Sequence, residues 1–182
     1  MSDLTTERLL LRQWKDSDYE PFAALNSDPA VVEHFARSLT RAESDELIDR
    51  VKVSIEKRGF GFWAVEVRET GRFIGFTGLS VPILDAPFVP CVEIGWRLAK
   101  DAWGNGYATE AARASLAYGF GEAGLDEVVS FTATTNKPSQ RVMERLGMTH
   151  DEADDFDHPR LPAGHRLQRH VLYRITRAQW EA

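Results

Sequence analysis

Apolar residues recur along this chain at two spacings, and the switch from one to the other marks out the elements. Thr6 to Trp14, TERLLLRQW, sets Leu9, Leu10 and Leu11 between charged flanks and reads as a first strand. A helix from about Asp18 to Leu25 follows, capped by Asp16 or Ser17 and stopped by Asn26-Ser27-Asp28-Pro29. Ala30 to Phe35 reads as a short helical turn. Thr40 with Glu43 has capping-box spacing, and Leu47, Ile48, Val51 and Ile55 form a helical stripe that ends at Gly59. Phe60 to Arg68 and Phe73 to Val81 alternate as a strand pair around Glu69-Thr70-Gly71-Arg72. Gly75 and Gly78 weaken the second of these and suggest close approach by another group. Pro82 to Pro90 is a loop, and Val92 to Leu98 is a strand. A small-residue helix spans about Tyr107 to Phe120, and Glu127 to Thr135 is strongly β-prone. Asn136 opens a helix with Pro138 in its first turn, closing at Gly147. Met148 begins a strand of undefined length, Asp151 to Gln168 reads as a long polar loop, and His170 to Thr176 is the last strand. The order β-α-α-β-β-β-α-β-α-β-β mixes hairpins with crossovers, which implies an α/β sheet with helices on both faces.

Composition narrows the class. The 182 residues suit a single domain spanning 1–182, with 43% hydrophobic and 27% charged residues. A net charge of -6 argues against a surface that coats nucleic acid. The one cysteine, Cys91, excludes an internal disulfide framework and a multi-cysteine metal site. The amino-terminal MSDLTTERLLLR is charged and lacks a long apolar core, and no run approaches the ~18 apolar residues a membrane span needs. A cytoplasmic protein without membrane or nucleic-acid partners is the expectation.

The most informative stretch is VEIGWRLAKDAWGNGYATEAARASLAY, from Val92 to Tyr118. Strand, glycine loop and helix start form a cradle for an anion, because Gly104 and Gly106 allow close approach and the helix start offers free N–H groups. The Walker pattern fails for want of a Gly-Lys-Ser/Thr ending, and the dinucleotide pattern fails because Thr109 stands where its third glycine belongs. WGNGYATEA, preceded by EIGWRLAKDA and followed by NKPSQRVMERLGM, resembles the GNAT superfamily of N-acetyltransferases, and most closely its RimJ/RimL-type branch. TERLLLR, GFWAVEV, GRFIGFTGL and HVLYRIT extend the resemblance over nearly the whole chain.

That resemblance implies a single GNAT-type domain with a mixed, mostly antiparallel sheet splayed between its fourth and fifth strands, Val92–Leu98 and Glu127–Thr135. It implies acetyl-CoA as co-substrate without a metal. Pantetheine would bond like an added strand along Trp96, Arg97 and Leu98, with Asn136 holding one of its carbonyls. The pyrophosphate would lie on Gly104, Asn105, Gly106, Tyr107, Ala108 and Thr109. The family's loop starts with Arg or Gln, whereas Asp101 stands here, so phosphate contacts fall to backbone N–H groups.

Direct transfer to an amine needs a base, a stabilised carbonyl oxygen and a proton for the leaving thiolate. Glu93 is nominated as base, acting through water; the alternative is a strand residue facing solvent or an arginine. Ser139 matches the family's Asn-x-x-Ser serine near the sulfur; the alternative is a first-turn residue that caps its own helix. Asn136 could equally be an N-cap. Tyr173 is a weaker donor candidate, better explained by packing. Among the tryptophans, Trp103 in the loop is the one placed to touch ligand, and Cys91 reads as a small buried residue. The five histidines show no metal-ligand spacing. The acidic run Asp154, Asp155, Asp157 is either a solvated loop or a surface for a cationic substrate. The implied acceptor is a primary amine. The likeness favours a protein N-terminal α-amine over a polyamine, amino acid or antibiotic; a non-catalytic acyl-CoA sensor is the reading from another class. Dimers are common in such proteins, which leaves monomer and homodimer both open.

Overall fold

A computed structural model describes residues 3–182; Met1 and Ser2, the first residues of the expected domain and of its charged amino-terminal segment, lie outside the described residues. The elements run β1 (Leu4–Thr5), β2 (Leu9–Arg12), α1 (Tyr19–Ser27), α2 (Arg41–Arg58), β3 (Phe62–Val67), β4 (Arg72–Ser80) and β5 (Glu93–Leu98). They continue as α3 (Tyr107–Phe120), β6 (Glu127–Ala133), α4 (Lys137–Arg145), β7 (Thr149–His150), β8 (Phe156–Asp157), β9 (Arg169–Thr176) and α5 (Arg177–Glu181). The sheet order is β1-β2-β3-β4-β5-β6-β9-β7, with β8 also on β9. Every pairing is antiparallel except β5 with β6.

That exception positions the site. β4 and β5 pair over six residues, whereas β5 and β6 share one registered pair, Glu93 with Val129. The bond from the Val129 N–H to the Val92 carbonyl is 2.9 Å. Ser130 Oγ donates to the Ile94 carbonyl at 3.0 Å, and beyond that point the two strands part. The expected splay is present.

Helices cover both faces. Trp63, Val65, Ile74, Leu79, Ile94 and Leu98 pack with Ala111, Ala112 and Leu116 of α3 and Met143 of α4. On the other face Ala64 and Phe76 pack with Phe22 of α1 and Ile48, Val51 and Ile55 of α2. The face of α2 follows from its 3.6-residue stripe, and its start from the capping box of Thr40 and Glu43. Beneath α1 a buried ion pair fixes the first strand: Arg12 donates to both Asp18 oxygens at 2.7 and 2.9 Å and to Glu66 at 2.6 Å.

Several boundaries differ from the sequence reading. The strand expected over Thr6–Trp14 is β2 alone, with Leu4–Thr5 folded back on it as β1. The loop expected over Asp151–Gln168 contains β8, and α5 follows the last strand. Gly75 and Gly78 do admit a close neighbour, but it is the protein itself. A Cβ at Gly75 would meet the Arg97 carbonyl, and one at Gly78 the Gly61 carbonyl. No described helix is long and apolar enough to cross a membrane.

Candidate active site

The anion cradle forms between the end of β5 and the start of α3. Gly104 and Gly106 both adopt left-handed φ, 76° and 79°, which glycine tolerates at little cost. Gly106 is the N-cap of α3 and has no side chain to cover the helix start. The first bond back to it comes from Glu110, so the N–H groups of Tyr107, Ala108 and Thr109 face outward without helical partners. Asn105 does not face a ligand with its amide, which donates to the Ala102 and Trp103 carbonyls at 3.1 Å and closes the loop. Trp103 is 48% exposed, yet its indole N–H donates to the Leu98 carbonyl at 2.9 Å. It therefore ties the loop to the strand end.

Asp101 turns away and pairs with Arg72. A cation reaches the cradle from elsewhere. Arg8 donates from Nη1 to the Asn105 carbonyl at 2.9 Å and lies over the Tyr107 ring at 4.8 Å. A Cβ on Gly106 would sit 3.5 Å from its Nη2. Glu110 holds Arg8 there through bonds of 2.6 to 2.9 Å and also accepts from Thr6 Oγ1. Burial works against the Glu110 charge, but the bonds from Thr6 and Arg8 outweigh it and hold the carboxyl below its ordinary range. This brace joins positions about a hundred residues apart, so no local pattern announces it.

The splayed edge of β5 completes a slot. Alternate residues of a strand direct their backbone groups to opposite sides. The Val92 carbonyl receives Val129, the Ile94 carbonyl Ser130 and the Leu98 carbonyl Trp103. Trp96 belongs to the same set, so its N–H and C=O, with the Leu98 N–H, face the gap where β6 has departed. Of the three residues expected at the cofactor, Leu98 is buried in the core and Trp96 packs against it, which leaves their backbones available. Arg97 differs: its side chain lies on the opposite face, bonded through Nη1 to Asn26 Oδ1 at 2.7 Å.

Asn136 and Ser139 lie at the start of α4. Asn136 Oδ1 accepts from the Ser139 N–H at 3.3 Å, and its Nδ2 donates to Thr132 Oγ1 at 2.9 Å. Both ends of that amide are engaged, so Asn136 is the N-cap. The Ser139 hydroxyl makes no hydrogen bond among the described residues. Tyr173 stacks on His150 at 5.0 Å and points its hydroxyl to Glu144, in keeping with packing.

Glu93 stands at the fork itself, as the last residue of β5 paired with β6. It is half-buried and has no ion-pair partner among the described residues. Burial raises its carboxyl to about 7, against a smaller opposing effect from its cross-strand neighbour Ser80. Neither alternative foreseen for it, an arginine partner or full exposure, is present. Burial, with Glu93 nearby, pushes the Cys91 thiol up to about 11, so it is no ready nucleophile. The acidic run is engaged within the protein: Asp154 pairs with Arg174 and Asp157 with Arg169, and Asp155 lies 2.7 Å from His150 Nε2. No group of three or more His, Cys, Asp or Glu among the described residues could hold a metal ion.

A family model described as an acetyltransferase (GNAT) domain matches residues 8–149. The chain is 35% identical over 186 residues to the FsC-acetyl coenzyme A-N(2)-transacetylase of Aspergillus fumigatus, covering 97% of this chain and 77% of that protein. A GNAT-family acetyltransferase from Bacillus anthracis superposes with a TM-score of 0.80 at 25% identity, over 97% of this chain and 99% of that one. RimL, a ribosomal L7/L12 alpha-N-protein acetyltransferase solved with coenzyme A, superposes with a TM-score of 0.75 at 15% identity, over 96% and 98%; at that identity the likeness is one of fold alone.

Proposed function

Because the chain belongs to the GNAT acetyltransferase family, we propose that residues 1–182 act as one domain moving an acetyl group from acetyl-CoA to a primary amine by direct transfer. The observation that carries this reading is Glu93, a half-buried carboxylate with no counter-ion, at the residue where β5 and β6 part. The residues around the gap suit acetyl-CoA. The N–H groups of Tyr107 to Thr109 and the Gly104–Gly106 backbone receive the pyrophosphate, with Arg8 beside them. The free backbone groups of Trp96 and Leu98 receive pantetheine amides as an added strand would. The bound co-substrate supplies the activated acyl group.

Glu93 takes the proton from the acceptor amine, directly or through water. A carboxyl near 7 is partly ionised at neutral pH and is basic enough for this task. Ser139, with its hydroxyl uncommitted on α4, hydrogen-bonds the leaving sulfur as the C–S bond breaks, and the proton taken from the amine returns through water to the CoA thiolate, so that no serine alkoxide remains. Asn136 acts one step back, by fixing the turn that carries Ser139. The name of the fungal relative, an acetyl coenzyme A-N(2)-transacetylase, supports transfer from acetyl-CoA to a nitrogen of the acceptor. The RimL likeness, confined to fold, gives the protein-N-terminus reading less weight.

The test is a coupled assay of CoA release across N-terminal peptides, polyamines and amino acids, beside calorimetry with CoA. Binding of CoA with amine-dependent release is expected. Ser139→Ala should keep CoA binding within about twofold and lower kcat about tenfold or more. Binding without release for any amine would leave only an acyl-CoA sensor.

A further inference from the structure

The face of the sheet that carries Glu93 also carries an arginine that the cradle does not use. Arg97 lies four residues along β5, on the same face, roughly 13 Å away between Cα atoms. Its guanidinium bonds to Asn26 Oδ1 and lies between two rings, 4.1 Å from the centre of Phe35 and 5.5 Å from that of Phe76. Nε is buried with no hydrogen-bond partner. Nη2 has none either, and no carboxylate lies within ion-pair distance among the described residues. A desolvated guanidinium without an anion is costly, so proteins rarely keep one unpaired. Burial pulls its pKa down to about 10. The charges of Glu93 and Arg97 stay apart: neither figures among the causes of the other's shift.

The loops beside this face bring two further arginines, alongside the carboxylates of Asp28, Glu33 and Asp85. Arg166 reaches across to the Glu33 carbonyl at 2.7 Å, and Arg160 to the Ile83 carbonyl. These bonds pin the 158–168 loop against the 28–40 and 82–91 loops through carbonyls. Neither arginine has an ion-pair partner among the described residues. Of the nearby 154–157 segment, Asp154 and Asp157 already pair with Arg174 and Arg169, and Asp155 is bonded to His150.

We infer that the acceptor is a zwitterion: its amine is received at Glu93, and a carboxylate elsewhere on the same molecule is received by the planar fork of Arg97 beneath Phe35. Arg97 is then the specificity-determining residue, matching a carboxylate by two parallel N–H donors as a lysine cannot. The inference rests on the transferase reading and names its substrate class. A polyamine, which would bring only positive charge to these arginines, is excluded by it.

The experiment pairs α- and ω-amino acids and short peptides with their own C-terminal amides, as acceptors for wild type, Arg97→Met and Arg97→Lys. The wild-type kcat/KM should favour the free carboxylate by at least thirtyfold for the acceptors it uses. Arg97→Met should narrow that preference to within about threefold, chiefly through KM, with CoA affinity unchanged. Arg97→Lys should fall between them. Equal use of acids and amides by wild type, preference for polyamines, or an undiminished preference in both variants would overturn the inference. Should Arg97→Met not fold, wild type and Arg97→Lys decide the matter. Calorimetry of the CoA-saturated protein with N-acetyl amino acids and their amides separates the two readings. Selective binding of the acids, weakened in Arg97→Lys, with no turnover of any amine would sustain the anion site and refute transfer. Turnover without acid selectivity would do the reverse.

Discussion

Glu93 is half-buried and has no ion-pair partner among the described residues, and this sets its titration apart. Its carboxyl stands at about 7 rather than 4.5, with desolvation as the main cause. Two consequences follow at this scale. The kcat/KM for acetylation should rise with pH through about 7, and Glu93→Gln should remove that limb and cost about a hundredfold, with CoA binding preserved; a pH–rate profile of both proteins checks this. Stability carries the opposite sign. The folded state binds its proton more tightly than the unfolded state, so Glu93 is harmless to the fold below about 4.5 and costs stability as pH rises to about 7. Glu93→Gln should therefore be more stable than wild type at pH 8, by an upper limit of about 3 kcal/mol at 1.36 kcal/mol per pKa unit, and no more stable at pH 4. Denaturant melts at both pH values measure it. Glu93 was nominated from the chain for its place on the strand that the family resemblance puts at the splay. That it has no ion-pair partner among the described residues could not be read there, since that depends on which side chains the neighbouring strands and loops bring near.

Among the elements, the start of α3 is defined by two positions that tolerate only glycine-like backbone. Gly106→Val would put a branched side chain at φ 79° and drive it toward Arg8, whose Nη2 is 3.5 Å from the first added atom. That variant should show no CoA binding by calorimetry at millimolar ligand, while its circular dichroism remains that of wild type. Arg8→Ala tests the brace. It removes the bonds to Asn105 and Glu110 and should weaken CoA about five- to tenfold without altering kcat at saturation. The cradle itself was legible from Gly-Asn-Gly before a small-residue helix, because local backbone conformation and helix ends are matters of adjacent residues. Its cation was not. The motif position that usually carries one holds Asp101, which pairs with Arg72, and the charge comes instead from the far end of the chain.

For the molecule as a whole, the polar structure beneath α1 matters most to stability. Arg12 is 4% exposed and Asp18 1%. Arg12→Ala would leave the Asp18 carboxylate buried with no cation, at a cost of about 3–5 kcal/mol, read as a fall in the midpoint of urea unfolding. The network joins β2, β3 and the start of α1, and its spacings in sequence, 6 and 54 residues, follow no helical or strand period. The same division runs through the fold. Periodicity, caps and turn residues determined the main helices and strands, the glycine cradle and the order of elements, since each depends on residues within a turn or a strand repeat of one another. Short segments whose conformation is imposed by a neighbour, β1, β7 and β8, took shape only through pairing. Tertiary structure alone decided that β5 and β6 part after a single pair, that Glu93 sits at the fork, and that Arg97 turns away from the cradle to meet Asn26 and Phe35. Those are relations between distant residues in a low-dielectric interior, where the absence of a partner counts as much as its presence, and no local pattern encodes an absence.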